Sequence, residues 1–507
     1  MSEERALAQA LELARATLGD ARAWVVGGVV RDRVLGRAGG DLDLVIDGEP
    51  EQAARALGRA GRAACFALSG EFSGWRVVAR DRAWQIDVER LRGESLEQDL
   101  RARDFTINAI AEPLQGGEPI DPLGGLGDLA ARRLRMAGPS AFADDPLRVL
   151  RLVRMAVELQ LQVEQKTRDC ARAHAGAQHH VSPERVFIEL RRIIGAQQPL
   201  RGIELLNELE VLQVVLPELE ALRGVEQSQF HHRDVYGHTL EVLEQVVALQ
   251  ADPEAVIGAE HAEAVAALLR EPLADELTRG DALRWGALLH DAAKPATRGV
   301  REHDGRVTFI GHDAQGAELA RGVLGRLRAS ERMRAHVAAL TRHHLRLGFL
   351  VHEAQPLARR SVFKYLRACD PVEVDVTLLS VADRLATRGE RANEAIDAHM
   401  GLAHRMLTDA LRWRAEGAPR ALWRGDELAG ELGIGLGPQV GELLQELAEA
   451  RYAGEVRTRE QALAYARERL DRGRGRGRGL GLGLGLEQGC GSEHDPGHPS
   501  GESASDP

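Results

Sequence analysis

Cysteine is scarce in this chain of 507 residues: Cys65, Cys170, Cys369 and Cys490 are the only four, and they lie far apart. That spacing excludes a CxxC metal pair and a compact disulfide framework, leaving isolated thiols. Long apolar runs are missing too. No stretch approaches the roughly 20 residues that cross a bilayer, and no charged-then-apolar leader opens the sequence, so the expectation is a cytoplasmic protein without membrane association. Net positive charge is also absent. A balance of -11 excludes a protein that coats nucleic acid indiscriminately, because backbone binding needs clustered Lys and Arg. Locally the balance reverses: residues 131–201 hold thirteen Lys or Arg against seven Asp or Glu. That segment is either RNA-facing or an Arg-rich solvated helix face.

What is present suffices for real cores. Hydrophobic residues make up 44% of the chain, and its length corresponds to three or four domains of roughly 150 residues each. Up to about Gly138 the pattern mixes helices with strand-like AWVV, DLDLVI and RAWQIDV. Beyond that point apolar residues recur at three and four, as at Leu147, Leu150, Val153 and Val157, and turn signals are short. The expected architecture is an α/β head on a long α-helical body. From about Gly473 an Arg-Gly and Leu-Gly repeat gives way to Ser, Gly, Pro and Asp, which cannot bury a core and predicts a disordered tail.

Three stretches carry chemistry. In DLDLVID, Asp41 and Asp43 are two apart, so on a strand both carboxylates point to one face and repel unless a cation lies beside them. Mg²⁺ suits such a pair, since it takes one or two carboxylates plus substrate phosphates. Just upstream, Gly27 and Gly28 permit close backbone approach to a ligand, and Arg31 on the following helix can grip a phosphate. Downstream, RDFTINA runs charged residues into a strand-like apolar stretch. Arg103 there is able to bind a triphosphate, and Asp104 and Asn108 a ribose hydroxyl; a salt bridge at a strand entrance is the competing reading. In ADDPLRVLRLVRMAVEL the plain structural reading makes Asp145 a helix N-cap and Pro146 the first helical residue, with Arg148, Arg151 and Arg154 forming a basic ridge. The third stretch is a series, YGHTLEVLE, HDAAKP, FIGHDAQGAEL, LTRHHLRLG and SVADRLATRGE, in which His and Asp recur on amphipathic helices. Mixed imidazole and carboxylate donors suit a divalent transition metal or Mg²⁺ and metal-assisted phosphoester hydrolysis.

VVGGVVRDRVLGRAGGDLDLVID followed by RARDFTINAIA closely resembles the head of the class II tRNA nucleotidyltransferase and bacterial poly(A) polymerase family, and with the helices that follow the resemblance covers roughly residues 1–225. It implies that Asp41 and Asp43 bind catalytic metal ions, that Gly27, Gly28 and Arg31 hold the triphosphate, and that Arg103, Asp104 and Asn108 help bind the nucleotide. A third family acid matches Asp87, whose strand face Gln85 and Glu89 share. The family's base-reading motif matches Asp144, Asp145 and Arg148, with Asp144 where Glu is usual, and VSPERVFIELRRII resembles the next neck helix. The link between the acid strand and RDFTINA is short, as in enzymes that add only CC to tRNA and rely on a separate A-adding enzyme.

Residues 230–390 resemble the HD phosphohydrolase superfamily. The match implies His238, His290, Asp291 and Asp383 as primary metal ligands, with His312 and His343 added in a two-metal site and His344 competing with His343.

Together these resemblances imply a nucleotidyltransferase head with a small mixed sheet over 1–139, and a helical neck with base-selecting and RNA-binding helices over 140–225. An HD metal-dependent phosphohydrolase domain then spans 226–390, a helical body 391–472 and a disordered tail 473–507. The implied activity is template-independent addition of CMP and AMP, from CTP and ATP, to the 3′ end of tRNA, with hydrolysis at the HD site. Poly(A) polymerase uses nearly the same head motifs and is the nearest alternative. A phosphohydrolase with a regulatory or inactive head is a different class, against which the intact Asp41 and Asp43 speak. A purely RNA-binding module needs neither constellation.

Overall fold

The computed structural model describes residues 3–37, 41–68, 74–227, 233–388 and 392–478. The head is one mixed sheet in the order β3-β4-β5-β2-β1-β6, made of β1 (Ala23–Val26), β2 (Asp41–Ile46), β3 (Ala64–Ala67), β4 (Trp75–Val78), β5 (Gln85–Arg90) and β6 (Ala111–Pro113). Central β2 runs antiparallel to β1 and parallel to β5. Its alternation places Leu42 and Leu44 in the core, while Asp43 stays half-buried on the opposite face. Strand β5 begins at Gln85, later than RAWQIDV suggests, because Arg82 adopts a left-handed backbone and turns the chain first.

One expectation fails here. RDFTINA is no strand but a 3₁₀ turn over Thr106–Asn108. Asp104 bends it: one carboxylate oxygen accepts from the Phe105 N–H at 2.8 Å and from Asn108 Nδ2 at 3.0 Å. Local side-chain bonds of this kind compete with a sheet ladder and win here inside the core, where Phe105, Thr106, Ile107 and Ala109 are fully buried. Gly125 packs so tightly on this turn that a Cβ would lie 2.2 Å from the Thr106 carbonyl oxygen.

Beyond the head the regular structure of the described residues is helical apart from short two-stranded pairings such as Arg298–Val300 with Val307–Phe309. The helix expected from Asp145 starts later, at Arg148, and runs to Glu158. Asp145 instead lies extended between it and a short helix over Ala141–Asp144. Next comes Pro183–Gly195, whose Phe187 meets the fully buried Trp285 of the helix Arg279–Leu289 at 6.0 Å between ring centroids.

That last helix begins with a buried ion pair. Arg279 donates to both oxygens of Asp375 and to the Pro371 carbonyl, while His336 faces the same carboxylate at 3.5 Å. Asp375→Ala strands the buried guanidinium, so the account expects a stability loss of about 3–5 kcal/mol, read as a lower melting temperature. An unchanged melt contradicts it.

Two compact units result. Among the described residues, one comprises those up to 353 together with 365–416, and the other comprises 354–364 with 417–478. The second has its own core of Leu428, Leu443, Leu447, Ala450, Val456, Ala462, Ala466 and Leu470. Its last helix, Arg459–Arg478, continues past the expected boundary at Gly473, and the rest of the tail, 479–507, lies outside the described residues. Among the described residues no helix is long and apolar enough to cross a membrane.

Candidate functional sites in the head and the helical body

A cavity of about 1000 Å³ in the head is lined by Gly27, Gly28, Arg31, Asp43, Asp87, Arg103, Asp104, Asn108, Asp145, Arg148 and Arg151, among others. Strand register gathers the acids: Asp43 sits opposite Asp87 on parallel β5, and Asp41 lies two residues along β2. Burial pushes Asp43 up to about 7, with Asp87 adding to the shift and Arg103 opposing it; Asp41 is raised by burial and then by Asp87. Carboxylates crowded to that degree hold their charge at neutral pH when a cation joins them, so the donor set fits a hard divalent ion. Gly27 closes this corner at φ +73, and a Cβ there would stand 3.2 Å from Asp43 Oδ2 and 3.6 Å from Arg103 Nη1. Only glycine lets the backbone come so near both a carboxylate and a guanidinium.

The surrounding arginines are braced. Arg31 donates to Asn108 Oδ1 at 2.8 Å and grips Asp32 through two bonds. Arg103 donates to the buried Asp99 at 3.0 Å. Arg151 meets Asp104 Oδ2 at 3.1 Å and Glu189 at 3.5 Å. Arg154, expected on the same ridge, is held by Glu189 at 2.6 Å and Glu158 at 3.0 Å and does not line the cavity. The physical reason is helix phase: spacing of three drifts around the cylinder, and the third arginine reaches the neighbouring helix. Sequence reasoning missed Arg76, which binds Asp87 at 2.8 and 2.7 Å across the β4–β5 ladder, and Asp99, whose i,i+4 spacing to Arg103 was a usable signal.

In the body, His238, His290 and Asp383 form one group and Asp291, His312 and His344 another, the ligand atoms of each lying within 4.8 Å of one another. Asp291 joins them. Its Oδ2 lies 3.1 Å from His290 Nε2 and 3.8 Å from His238 Nε2, and its Oδ1 lies 3.4 Å from His312 and 3.9 Å from His344. His290, His312 and His344 each turn Nδ1 onto a backbone carbonyl, of Ala287 at 2.8 Å, Phe309 at 2.6 Å and Thr341 at 2.6 Å. A carbonyl only accepts, so Nδ1 carries the proton and the Nε2 lone pairs converge. Burial, followed by the neighbouring His290, lowers His344 to about 4, keeping that ring neutral as a ligand must be. Buried His290 Nε2 has Asp291 Oδ2 as its near neighbour at 3.1 Å, so imidazole and carboxylate converge as two ligands of one ion would. The nitrogen and carboxylate donors fit a pair of divalent ions.

His343 lies outside both groups. Its Nδ1 accepts from Arg346 Nε at 2.8 Å, and burial with Arg346 and Arg342 lowers it to about 4, away from both groups. His344 was findable, because it stands four residues after buried Leu340 and seven after buried Val337, on the helix face turned inward. A cavity of about 360 Å³ opens over this cluster, lined also by Lys294, Arg306, Ser380, Arg384 and His399.

Three family descriptions match successive parts of the chain. The poly A polymerase head domain family matches residues 23–135, the probable RNA and SrmB-binding site of polymerase A matches 160–222, and the HD domain matches 235–388. An A-adding tRNA nucleotidyltransferase of Deinococcus radiodurans is 37% identical over 87% of this chain and 94% of its own length. A CC-adding tRNA nucleotidyltransferase of Thermus thermophilus is 33% identical over 87% and 92% respectively. Among solved structures, the Thermotoga maritima CCA-adding enzyme complexed with tRNA shares the fold, with a TM-score of 0.59 and 19% identity over 92% of this chain and 96% of that one. The chain therefore belongs to the tRNA nucleotidyltransferase family, with a poly(A)-polymerase-type head joined to an HD domain.

Proposed function

We propose that the head transfers CMP or AMP from CTP or ATP to the 3′ end of tRNA, the terminal hydroxyl attacking the α-phosphorus and pyrophosphate leaving. The observation that carries this is the pair Asp43 and Asp87 beside Gly27 and Arg103 on one wall of the cavity, with Asp41 two residues along the same strand. Mg²⁺ held by those acids would supply a more acidic hydroxyl and charge neutralisation on the leaving group. Around them Arg31 and Arg103 bind the triphosphate and Asp104, Asn108 and Arg151 fix the sugar, each side chain already held in place by its neighbours. The 1–139 head, 140–225 neck and 226–390 HD domain are the working divisions we assign. A tRNA substrate places the protein in the cytoplasm.

The chain performs one stage of CCA synthesis. The link from Leu91 to Ala102 is short and carries the ordered helix Leu96–Arg101, which favours the CC stage with a separate A-adding enzyme. The 37% identity to an A-adding relative, against 33% to a CC-adding one, favours the A stage. Extension of tRNA ends resolved to single nucleotides tests the function and separates the two.

At the HD site, His238, His290, Asp291, His312, His344 and Asp383 hold a divalent transition metal or Mg²⁺ for phosphoester hydrolysis. His344→Ala is expected to lower bound metal and hydrolysis by about tenfold or more, and His343→Ala to leave both near wild type, by metal analysis and phosphatase assay. The reverse pattern removes this ligand assignment.

A further inference from the structure

We propose that Glu260, His261 and His404 form a separate metal site, which takes a divalent transition ion such as Zn²⁺ and clamps the helix Ala392–Glu416 to the helix Ala259–Leu269. One ligand atom from each side chain lies within 4.8 Å of the other two. None of the three residues lines either cavity described above, so the group stands apart from the head acids and from the HD cluster. The site is independent of both proposed reactions.

His261 is the fixed point of the group. It is 3% exposed, and its Nε2 lies 3.0 Å from the carbonyl oxygen of His404, 143 residues further along the chain. A carbonyl only accepts, so Nε2 carries the proton and Nδ1 keeps the lone pair that a metal needs. Thr408 Oγ1 donates to the same carbonyl at 3.3 Å and steadies it. The other two donors are free to adjust, with the side chains of His404 and Glu260 41% and 64% exposed and His404 Nε2 3.4 Å from Glu260 Oε2. Ligands of a tetrahedral zinc ion with bonds of about 2.0–2.1 Å stand about 3.4 Å apart, so one edge of the polyhedron already has its length. Gly258 admits the His404 ring: its φ is +78, and a Cβ there would lie 3.0 Å from His404 Cε1.

The donor chemistry then selects the ion. Imidazole nitrogens beside a carboxylate suit Zn²⁺ or a neighbouring transition metal, whereas Mg²⁺ and Ca²⁺ prefer oxygen throughout. Three protein ligands at a partly exposed position leave the fourth to water. Glu260 also offsets the positive end of its own helix, which would otherwise repel a cation at the first turn. An exposed Glu–His pair alone holds two helices weakly. An ion bound only by the folded arrangement stabilises it by mass action, since ligands so distant in sequence do not assemble in the unfolded chain.

The test uses the full-length chain, stripped with a chelator and titrated with Zn²⁺, with bound zinc counted after dialysis and melting followed in parallel. Asp291→Asn weakens the HD site and isolates this one. On that background saturating zinc is expected to raise the melting temperature by about 5 °C. Adding His404→Ala removes that rise together with about one zinc ion per chain, and leaves the metal-free melting temperature unchanged because the His404 carbonyl that holds His261 remains. Glu260→Gln keeps the shape without the charge, and weakens zinc binding by about tenfold or more. The proposal is overturned if either variant binds zinc with the affinity of its parent, or if zinc gives the Asp291→Asn chain no rise in melting temperature.

Discussion

Asp43→Ala is expected to abolish nucleotide transfer, with kcat down by about 10³-fold or more, while hydrolysis at the HD site is unchanged. The size of the effect follows from position. Asp43 faces Asp87 across the parallel ladder, stands against the Gly27 turn and lies two residues from Asp41, so it is the carboxylate shared by every contact at that wall. Burial already pushes it up to about 7, so holding its negative charge at neutral pH costs free energy that the fold alone does not require. Removing it relieves that cost. The variant should therefore melt at or slightly above the wild-type temperature, which separates lost chemistry from lost structure. Full residual transfer by Asp43→Ala removes the assignment of these acids.

The mirror-image result is expected for Asp291→Asn. Hydrolysis falls by about 10³-fold and metal content of the HD site drops, because the carboxylate whose two oxygens face both histidine groups loses its charge. Nucleotide transfer stays at the wild-type rate. The amide is the right substitution: Lys294 approaches Asp291 at 2.7 Å and Gln227 Oε1 at 2.6 Å, and Asn keeps an acceptor for that buried ammonium where Ala would strand it. Wild-type hydrolysis by Asp291→Asn, with metal retained, contradicts the two-metal reading. Measured together, the two variants also test whether the activities are independent.

How far the sequence reaches can be judged residue by residue. The carboxylate strand was legible because period-two alternation fixes which side chains share a face, and DLDLVID allows only one such reading. The third acid needed the pairing of β2 with β5, which sequence spacing does not contain, and Arg76 opposite Asp87 was invisible for the same reason. RDFTINA looked like a strand because its apolar composition was read without the reach of the Asp104 side chain. The helix after Asp145 starts two residues beyond the expected Pro146, at Arg148, because an N-cap and a turn-forming aspartate look alike until the backbone is seen extended. His344 displaces His343 because adjacent residues on a helix point about 100° apart, and a motif of two histidines leaves that phase open.

The most direct test of the central claim is a single-nucleotide-resolution extension assay. Purified protein with Mg²⁺ is incubated with tRNA ending just before CCA and with tRNA ending in CC, supplied with CTP and ATP separately and together. The account predicts transfer confined to one stage: two C residues and no A on the first substrate, or one A on the CC-ended substrate alone. Three residues added to the first substrate would contradict the single-stage reading, and long A ladders or no extension of either tRNA would contradict the claim that this head is a tRNA nucleotidyltransferase.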